Sequence, residues 1–137
     1  MEIWDQLHHF NRNERWGEPD RMNGVILLIL DLIRSKVPYR FHVNYGTQGK
    51  HVDKSQHYLG NAVDGYFIDT PSFREITTEI LNIVADLQLQ IGLGIYPMWK
   101  HPGFHFDCRS VAGRWGYLNR KMVTQAEALE YIYAEGL

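Results

Sequence analysis

Residues 55–65 read SQHYLGNAVDG, and they place the imidazole of His57 seven residues before the carboxylate of Asp64. A second stretch, residues 103–107, reads GFHFD and adds the imidazole of His105. Two neutral imidazoles and one carboxylate form a donor set that suits zinc, and three protein ligands leave a fourth position for water. The sequence therefore predicts one zinc ion per chain, in an open site of the kind that hydrolytic chemistry requires.

The composition is that of a globular chain with room for one core. The 137 residues suffice for a single domain, 1–137, and the balance of 45% hydrophobic to 22% charged residues is ordinary for such a domain. A formal net charge of -2 gives no indication of the positively charged surface that nucleic-acid binding requires. The one cysteine, Cys108, excludes an intrachain disulfide, and we expect it to lie in the core.

The sequence shows no signal for export or membrane insertion. The N-terminus lacks a basic segment followed by an apolar run, and the longest apolar run, residues 25–30, is too short to span a bilayer. We therefore expect synthesis in a cytoplasm, no transmembrane segment, and action on any outside substrate only after release or delivery. The sequence predicts nothing about oligomeric partners.

Three helices are predicted from apolar periodicity and capping residues. The first follows Pro19, and the second is expected to have Thr70 as its cap and Pro71 at its first position. The third begins at a capping box, residues 124–127, and ends at Gly136. The apolar stripe of the first helix is predicted to contain Met22, Val25, Ile26, Ile29 and Ile33, with Asp31 off the stripe.

Strands are predicted over residues 39–45, 62–68, 89–96 and 103–108, with one more short strand over 114–117. In the fourth of these, alternation places His105 and Asp107 on one face and two phenylalanines in the core. Short strands joined in part by tight turns favour an α+β domain, with a small, mainly antiparallel sheet and about three helices.

The loop between the first two strands, residues 46–54, is polar, contains glycine and lies next to the predicted metal site. Loops of this kind often carry binding groups. We predict that His51 lines the site and that Tyr45, Gln48, Ser55 and Trp115 bind substrate. Two other conspicuous side chains, His42 and Trp16, are expected to serve the structure only.

The pattern Ser55-x-His57-x-x-Gly60-x-Ala62-x-Asp64, followed by FHFD at residues 104–107, resembles the zinc D-Ala-D-Ala carboxypeptidase family. That family shares its fold with the hedgehog signalling domain and includes murein endopeptidases and phage endolysins. The likeness covers roughly residues 20–117. One subgroup is most similar, because it has a glycine-rich strand with a Tyr-Pro turn, as in GLGIYP at residues 92–97, and an Arg-Trp pair, as at residues 114–115.

The resemblance implies that His57, Asp64 and His105 are zinc ligands and that the substrate is a peptidoglycan stem peptide. Two departures leave the catalytic groups open. The family's catalytic glutamate falls on Pro102 or Trp99 in this chain, and its loop arginine is missing.

Asp107 is the nearest carboxylate on the predicted face, so it is either the general base or a residue that only orients a ligand. His51 is our preferred stabiliser of the developing oxyanion, with residues 50 and 54 as alternatives.

The first hypothesis for the function is a zinc peptidase that cuts a peptide bond of bacterial cell wall, as a carboxypeptidase or an endopeptidase, in a phage or prophage setting. The alternative is a zinc-binding structural or wall-binding module of a phage particle that has lost the chemistry. The missing glutamate motivates this alternative. The sequence does not decide which bond would be cut.

Overall fold

Alternating apolar residues build one six-stranded sheet within the part of the chain that the computed structural model describes, residues 2–49 and 55–137. The strands are β1 (Phe41–Tyr45), β2 (Ala62–Phe67), β3 (Gly92–Tyr96), β4 (Gly103–Asp107), β5 (Gly113–Leu118) and β6 (Lys121–Val123). Their spatial order is β1-β2-β4-β3-β5-β6. All neighbouring pairs are antiparallel except β3 and β5, which are parallel.

This sheet and three α-helices confirm the predicted α+β class with a mainly antiparallel sheet. The sequence analysis missed β6. This strand has only three residues and is joined to β5 by a two-residue turn, so its alternation is too short to recognise.

The helices are α1 (Gly24–Ser35), α2 (Phe73–Asp86) and α3 (Gln125–Glu135). The prediction for α3 is confirmed, because Thr124 and Glu127 form the capping box and Gly136 ends the helix with a φ of 68°. The predicted start of α2 is wrong. Its cap is Ser72, whose side chain accepts a hydrogen bond from the backbone N–H of Glu75, so Thr70 and Pro71 precede the helix.

The prediction for the apolar stripe of α1 is wrong at three positions. Met22 is buried but precedes the helix. Val25 is 54% exposed, whereas Asp31 is buried. The Asp31 carboxylate accepts hydrogen bonds from the backbone N–H groups of His8 and His9, at 2.8 to 3.2 Å. It therefore attaches the N-terminal segment to α1, a contact that helical periodicity does not predict.

The core lies on the face of the sheet that the helices cover. It combines apolar residues from the strands, such as Phe104 and Phe106, with residues of all three helices. The N-terminal segment adds Trp16, which is completely buried and has ring contacts with Trp4 and Phe10, so its predicted structural role is confirmed. Cys108 is half-buried and packs against this core.

No helix among residues 2–49 and 55–137 is long and apolar enough to cross a membrane.

Candidate metal centre

The opposite face of the sheet carries one row of chemically important side chains, set by strand register. Asp64 on β2 is paired with His105 on β4, and His105 is paired with Gly94 on β3. On the far side of Gly94 lies Trp115 of β5, and on the far side of Asp64 lies Tyr45 of β1. Directly paired residues share a face of the sheet. The register therefore brings four of the residues predicted for the site into one line.

His57 reaches this row from the turn that precedes β2. The Ser55 hydroxyl accepts a hydrogen bond from the His57 N–H, and the chain turns again at Gly60, which has a φ of 73°. A Cβ at Gly60 would lie 2.0 Å from the carbonyl oxygen of Arg21, so only glycine allows the turn to pack against the segment before α1.

His57, Asp64 and His105 form a buried cluster whose potential ligand atoms all lie within 4.8 Å of one another. The Nε2 atom of His57 lies 3.1 Å from one Asp64 oxygen, and the Nδ1 atom of His105 lies 2.9 Å from the other. This group could hold a metal ion, as the sequence predicted. Its members are the three residues that the sequence predicted as ligands.

Hydrogen bonds on the outer side of each ring determine which nitrogen faces inward. The Nδ1 atom of His57 lies 2.8 Å from the carbonyl oxygen of Gly46, which can only accept, so this nitrogen carries the proton. In the neutral ring Nε2 then points a lone pair at the Asp64 carboxylate. Two acceptors at 3.1 Å repel each other unless a proton or a metal ion lies between them, so this arrangement is compatible with a metal site.

His105 presents the same situation more strongly, because both of its ring nitrogens face carboxylates. Nδ1 faces Asp64 and Nε2 lies 2.7 Å from Asp107. Burial by itself would lower the pKa of His105, but the hydrogen bonds to Asp107 and Asp64 outweigh it and raise the pKa to about 8. These two carboxylates therefore favour the protonated, cationic form of the His105 ring.

The two carboxylates are held in the charged form. Burial tends to raise the pKa of Asp64, but its interactions with the His105 and His57 rings outweigh burial and lower the pKa to about 2. Burial likewise opposes ionisation of Asp107, yet its hydrogen bonds with Arg109 and His105 hold its pKa well below the usual range. Both groups are anionic at neutral pH, so they favour a cation between the rings.

Asp107 is completely buried, and neighbouring side chains form hydrogen bonds with its carboxylate. Arg109 donates to it from Nε at 2.8 Å, from Nη2 at 2.6 Å and from the backbone N–H at 3.1 Å. Together with the bond to His105, these donors satisfy both carboxylate oxygens. The sequence analysis assigned no role to Arg109. The spacing of an arginine two residues after the aspartate was the available signal for this pair.

Two glycines of β3 make room for these groups. A Cβ at Gly92 would lie 2.3 Å from an Asp107 oxygen, and a Cβ at Gly94 would lie 2.6 Å from Nε1 of Trp115. The absence of side chains lets Asp107 and Trp115 lie over the strand. Trp115 then approaches His105, with ring centroids 5.3 Å apart, and stacks on the Arg109 guanidinium at 4.8 Å.

The structure places two of the four residues predicted to bind substrate beside the cluster. Tyr45 and Trp115 flank the cluster in the cross-strand row. Gln48 instead stabilises its own loop. Its side chain accepts a hydrogen bond from the Gly46 N–H and donates one to the carbonyl of Arg15. Ser55 supports the turn that holds His57. The prediction for His51 lies outside the described residues.

Neither of two sizeable cavities among the described residues is lined by the three candidate ligands. The larger, about 510 Å³, lies at the end of β2 and next to the start of α2. The smaller, about 320 Å³, lies where β3 and β5 end and includes Tyr96 and Tyr117. Tyr96 links the smaller cavity to the site, because its hydroxyl lies 3.2 Å from Nε1 of Trp115.

Comparison of the chain with protein-family models, with curated proteins and with solved structures gives no match. The class of site therefore follows from the geometry alone: two imidazoles and a carboxylate, buried together and oriented from outside by hydrogen bonds.

Proposed function

We propose that the protein is a zinc-dependent peptidase that hydrolyses a peptide bond in bacterial peptidoglycan. The observation that carries this proposal is the inward orientation of His57 Nε2 and His105 Nδ1 toward the two oxygens of Asp64. The sequence resemblance to zinc D-Ala-D-Ala carboxypeptidases assigns the same three residues as ligands. The α+β fold with a mainly antiparallel sheet is compatible with the hedgehog-like fold that the resemblance implies.

In this function the three residues would hold the ion, and zinc when bound supplies a Lewis acid that activates water and polarises a carbonyl. The carbonyl of Gly46 keeps the proton on Nδ1 of His57, and Asp107 keeps the proton on Nε2 of His105. Each ring is thereby fixed in the tautomer and orientation that binding requires. Trp115 covers one side of His105 and limits the access of water from that side.

Of the two roles that the sequence left open for Asp107, the geometry favours orientation of His105. A general base must be free to take a proton, whereas both oxygens of Asp107 are occupied by Arg109 and His105. The proton transfer then falls to another group, and His51 remains our candidate for assisting the reaction.

The test is mass spectrometry of muropeptides incubated with the zinc-loaded protein, with and without a chelator. We expect new fragments that disappear with chelator, and their masses would identify the bond. His57→Ala, Asp64→Ala and His105→Ala should each abolish the fragments, whereas His9→Ala, at an exposed histidine, should not. Full activity in any ligand variant that binds no metal would overturn the mechanism.

The alternative is a zinc-binding structural or wall-binding module without peptidase activity. The hydrogen bonds that Asp107 accepts favour this alternative, because they leave the nearest carboxylate without a free oxygen. Protein confirmed to contain zinc that releases no fragment from any muropeptide would support the alternative. Protein that binds no zinc would contradict both functions.

A further inference from the structure

The smaller cavity is connected to the candidate metal centre through Trp115, which contacts both Tyr96 and His105, and it has a distinctive lining. It encloses about 320 Å³, a size that accommodates one small ring or side chain. Its walls are Tyr96, Met98, Trp99, Tyr117, Asn119 and Arg120. Three aromatic rings and a methionine thus surround a space with two polar side chains.

The three rings form a continuous stack. The centroids of Tyr96 and Trp99 lie 4.4 Å apart with an interplanar angle of 20°, and those of Tyr96 and Tyr117 lie 5.4 Å apart at 24°. Nearly parallel rings packed in this way are held as a rigid unit. They need little ordering when a ligand binds, which reduces the entropic cost of binding.

The polar side chains come from the turn between β5 and β6. Asn119 and Arg120 have φ values of 51° and 64°, so both adopt the left-handed conformation of a tight hairpin. The backbone N–H of Asn119 lies 3.2 Å from the sulfur of Met98, and this contact holds the turn against the cavity. Glycine is the usual residue at the second position of such a turn, whereas this chain places a guanidinium there.

The distance from the metal centre limits which part of a substrate can reach the cavity. His105 is on β4, Tyr96 on the adjacent β3 and Tyr117 on the next strand, β5. Two strand spacings and a displacement of two residues along the strands, from Gly94 to Tyr96, together amount to about 12 Å. An extended chain covers about 3.3 Å per residue, so a group in the cavity lies roughly three to four residues from the reacting bond.

We propose that this cavity is a subsite for an N-acetylated sugar ring of the peptidoglycan glycan strand. A pyranose ring has an apolar C–H face that packs on flat aromatic rings, and an acetyl methyl group suits the apolar lining. Asn119 and Arg120 can hydrogen-bond to the acetamide and hydroxyl oxygens. This inference rests on the proposed function, because it takes the substrate to be a peptide attached to such a glycan.

The binding test does not require catalysis. The zinc-loaded protein is titrated with a tetramer of N-acetylglucosamine and, separately, with the corresponding glucose tetramer, with tryptophan fluorescence as the readout. We expect saturable binding of the N-acetylated tetramer only. Arg120→Gly and Tyr117→Ala should weaken that binding by about tenfold or more, whereas Tyr133→Ala, at an exposed tyrosine of α3, should leave it unchanged.

Absence of binding by the wild-type protein would overturn the proposal, as would equal binding of the two tetramers or unchanged binding by both cavity variants. Because glycine suits the backbone at position 120, Arg120→Gly should fold even if Tyr117→Ala does not. Retained zinc binding is the check on folding for each variant.

The rate test compares a stem peptide that carries its disaccharide with the same peptide without sugar. We expect kcat/KM to be about tenfold higher for the glycosylated peptide and this preference to disappear in Arg120→Gly. Sugar binding without hydrolysis of either peptide would refute the peptidase and leave the subsite standing. Hydrolysis of both peptides at equal rates would refute the subsite and leave the peptidase standing.

Discussion

At the scale of single residues, Asp107 illustrates how burial restricts what a carboxylate can do. Its side chain is completely buried, and its oxygens are bound by the Arg109 guanidinium and the His105 ring. A carboxylate in this environment stays charged and fixes its neighbours in place. We therefore expect its contribution to a metal centre to be the orientation of His105.

Asp107→Asn tests this role, because it keeps the size of the side chain and removes the charge. We expect zinc affinity to fall about 10- to 100-fold, since Nε2 of His105 and Arg109 both lose an anionic partner. Competition with a chelator of known affinity measures the change. Asp86→Asn, at an exposed carboxylate in the last turn of α2, should leave the affinity unchanged.

The same variant separates orientation from base catalysis. At saturating zinc, we expect muropeptide hydrolysis by Asp107→Asn to remain within about tenfold of wild type. A loss of about 10²- to 10⁴-fold with zinc fully bound would instead identify Asp107 as the general base.

A second residue-scale prediction concerns the space above β3. Gly92→Ala would place a Cβ 2.3 Å from an Asp107 oxygen, so the carboxylate has to move. We expect a loss of about 1 to 3 kcal/mol in the free energy of unfolding and weaker zinc binding. Gly113→Ala is the matched control, because the nearest side-chain atoms lie 3.6 Å from its Cβ. Denaturant titration and zinc competition of both variants check the prediction, and equal effects at the two positions would refute it.

At the scale of elements, the attachment of the N-terminal segment depends on one polar residue of α1. Asp31 accepts backbone hydrogen bonds from His8 and His9 and is 8% exposed. Asp31→Ala should lower the free energy of unfolding by about 2 kcal/mol, because it leaves these partly buried N–H groups without their acceptor. Asp86→Ala should change it by less than about 0.5 kcal/mol. Denaturant titration measures both, and equal stabilities of the two variants would contradict the role of Asp31.

The hairpin between β5 and β6 has a backbone conformation that its own sequence disfavours. Arg120 has a φ of 64°, in the left-handed region where a side chain is strained. Arg120→Gly should therefore raise the free energy of unfolding by about 0.5 to 1 kcal/mol, after allowance for the greater entropy of glycine in the unfolded chain. Thermal denaturation measures this change. Destabilisation would mean that the arginine side chain contributes more to the fold than its exposed position indicates.

At the scale of the whole molecule, a bound metal would link the turn before β2, strand β2 and strand β4. The core on the opposite face is extensive, so we expect the metal-free protein to remain folded. Zinc at 100 times its dissociation constant should add about 2.7 kcal/mol, which corresponds to roughly 8 °C in Tm. Thermal denaturation with zinc and with chelator tests this. His105→Ala should show no zinc-dependent shift, and a shift of wild-type size in that variant would place the metal elsewhere.

Local patterns sufficed where one segment contains all the determinants of a feature. The capping box of Thr124 and Glu127 predicted the start of α3 because both partners lie within one helical turn. The alternation of β4 predicted that His105 and Asp107 share a face. Prediction failed at Asp31 and Ser72, where a partner from another segment or a competing cap changed the outcome.

The sequence by itself determined the donor types of the candidate metal centre, the α+β class and the faces of the main strands, because these depend on residue chemistry and short-range periodicity. Only the tertiary structure decided that Asp64, His105 and Trp115 share one cross-strand row and that Arg109 engages Asp107. Strand order, register and the space above Gly92 and Gly94 arise from packing between distant segments. No local pattern contains that information, since the energies that select one register act only when the strands meet.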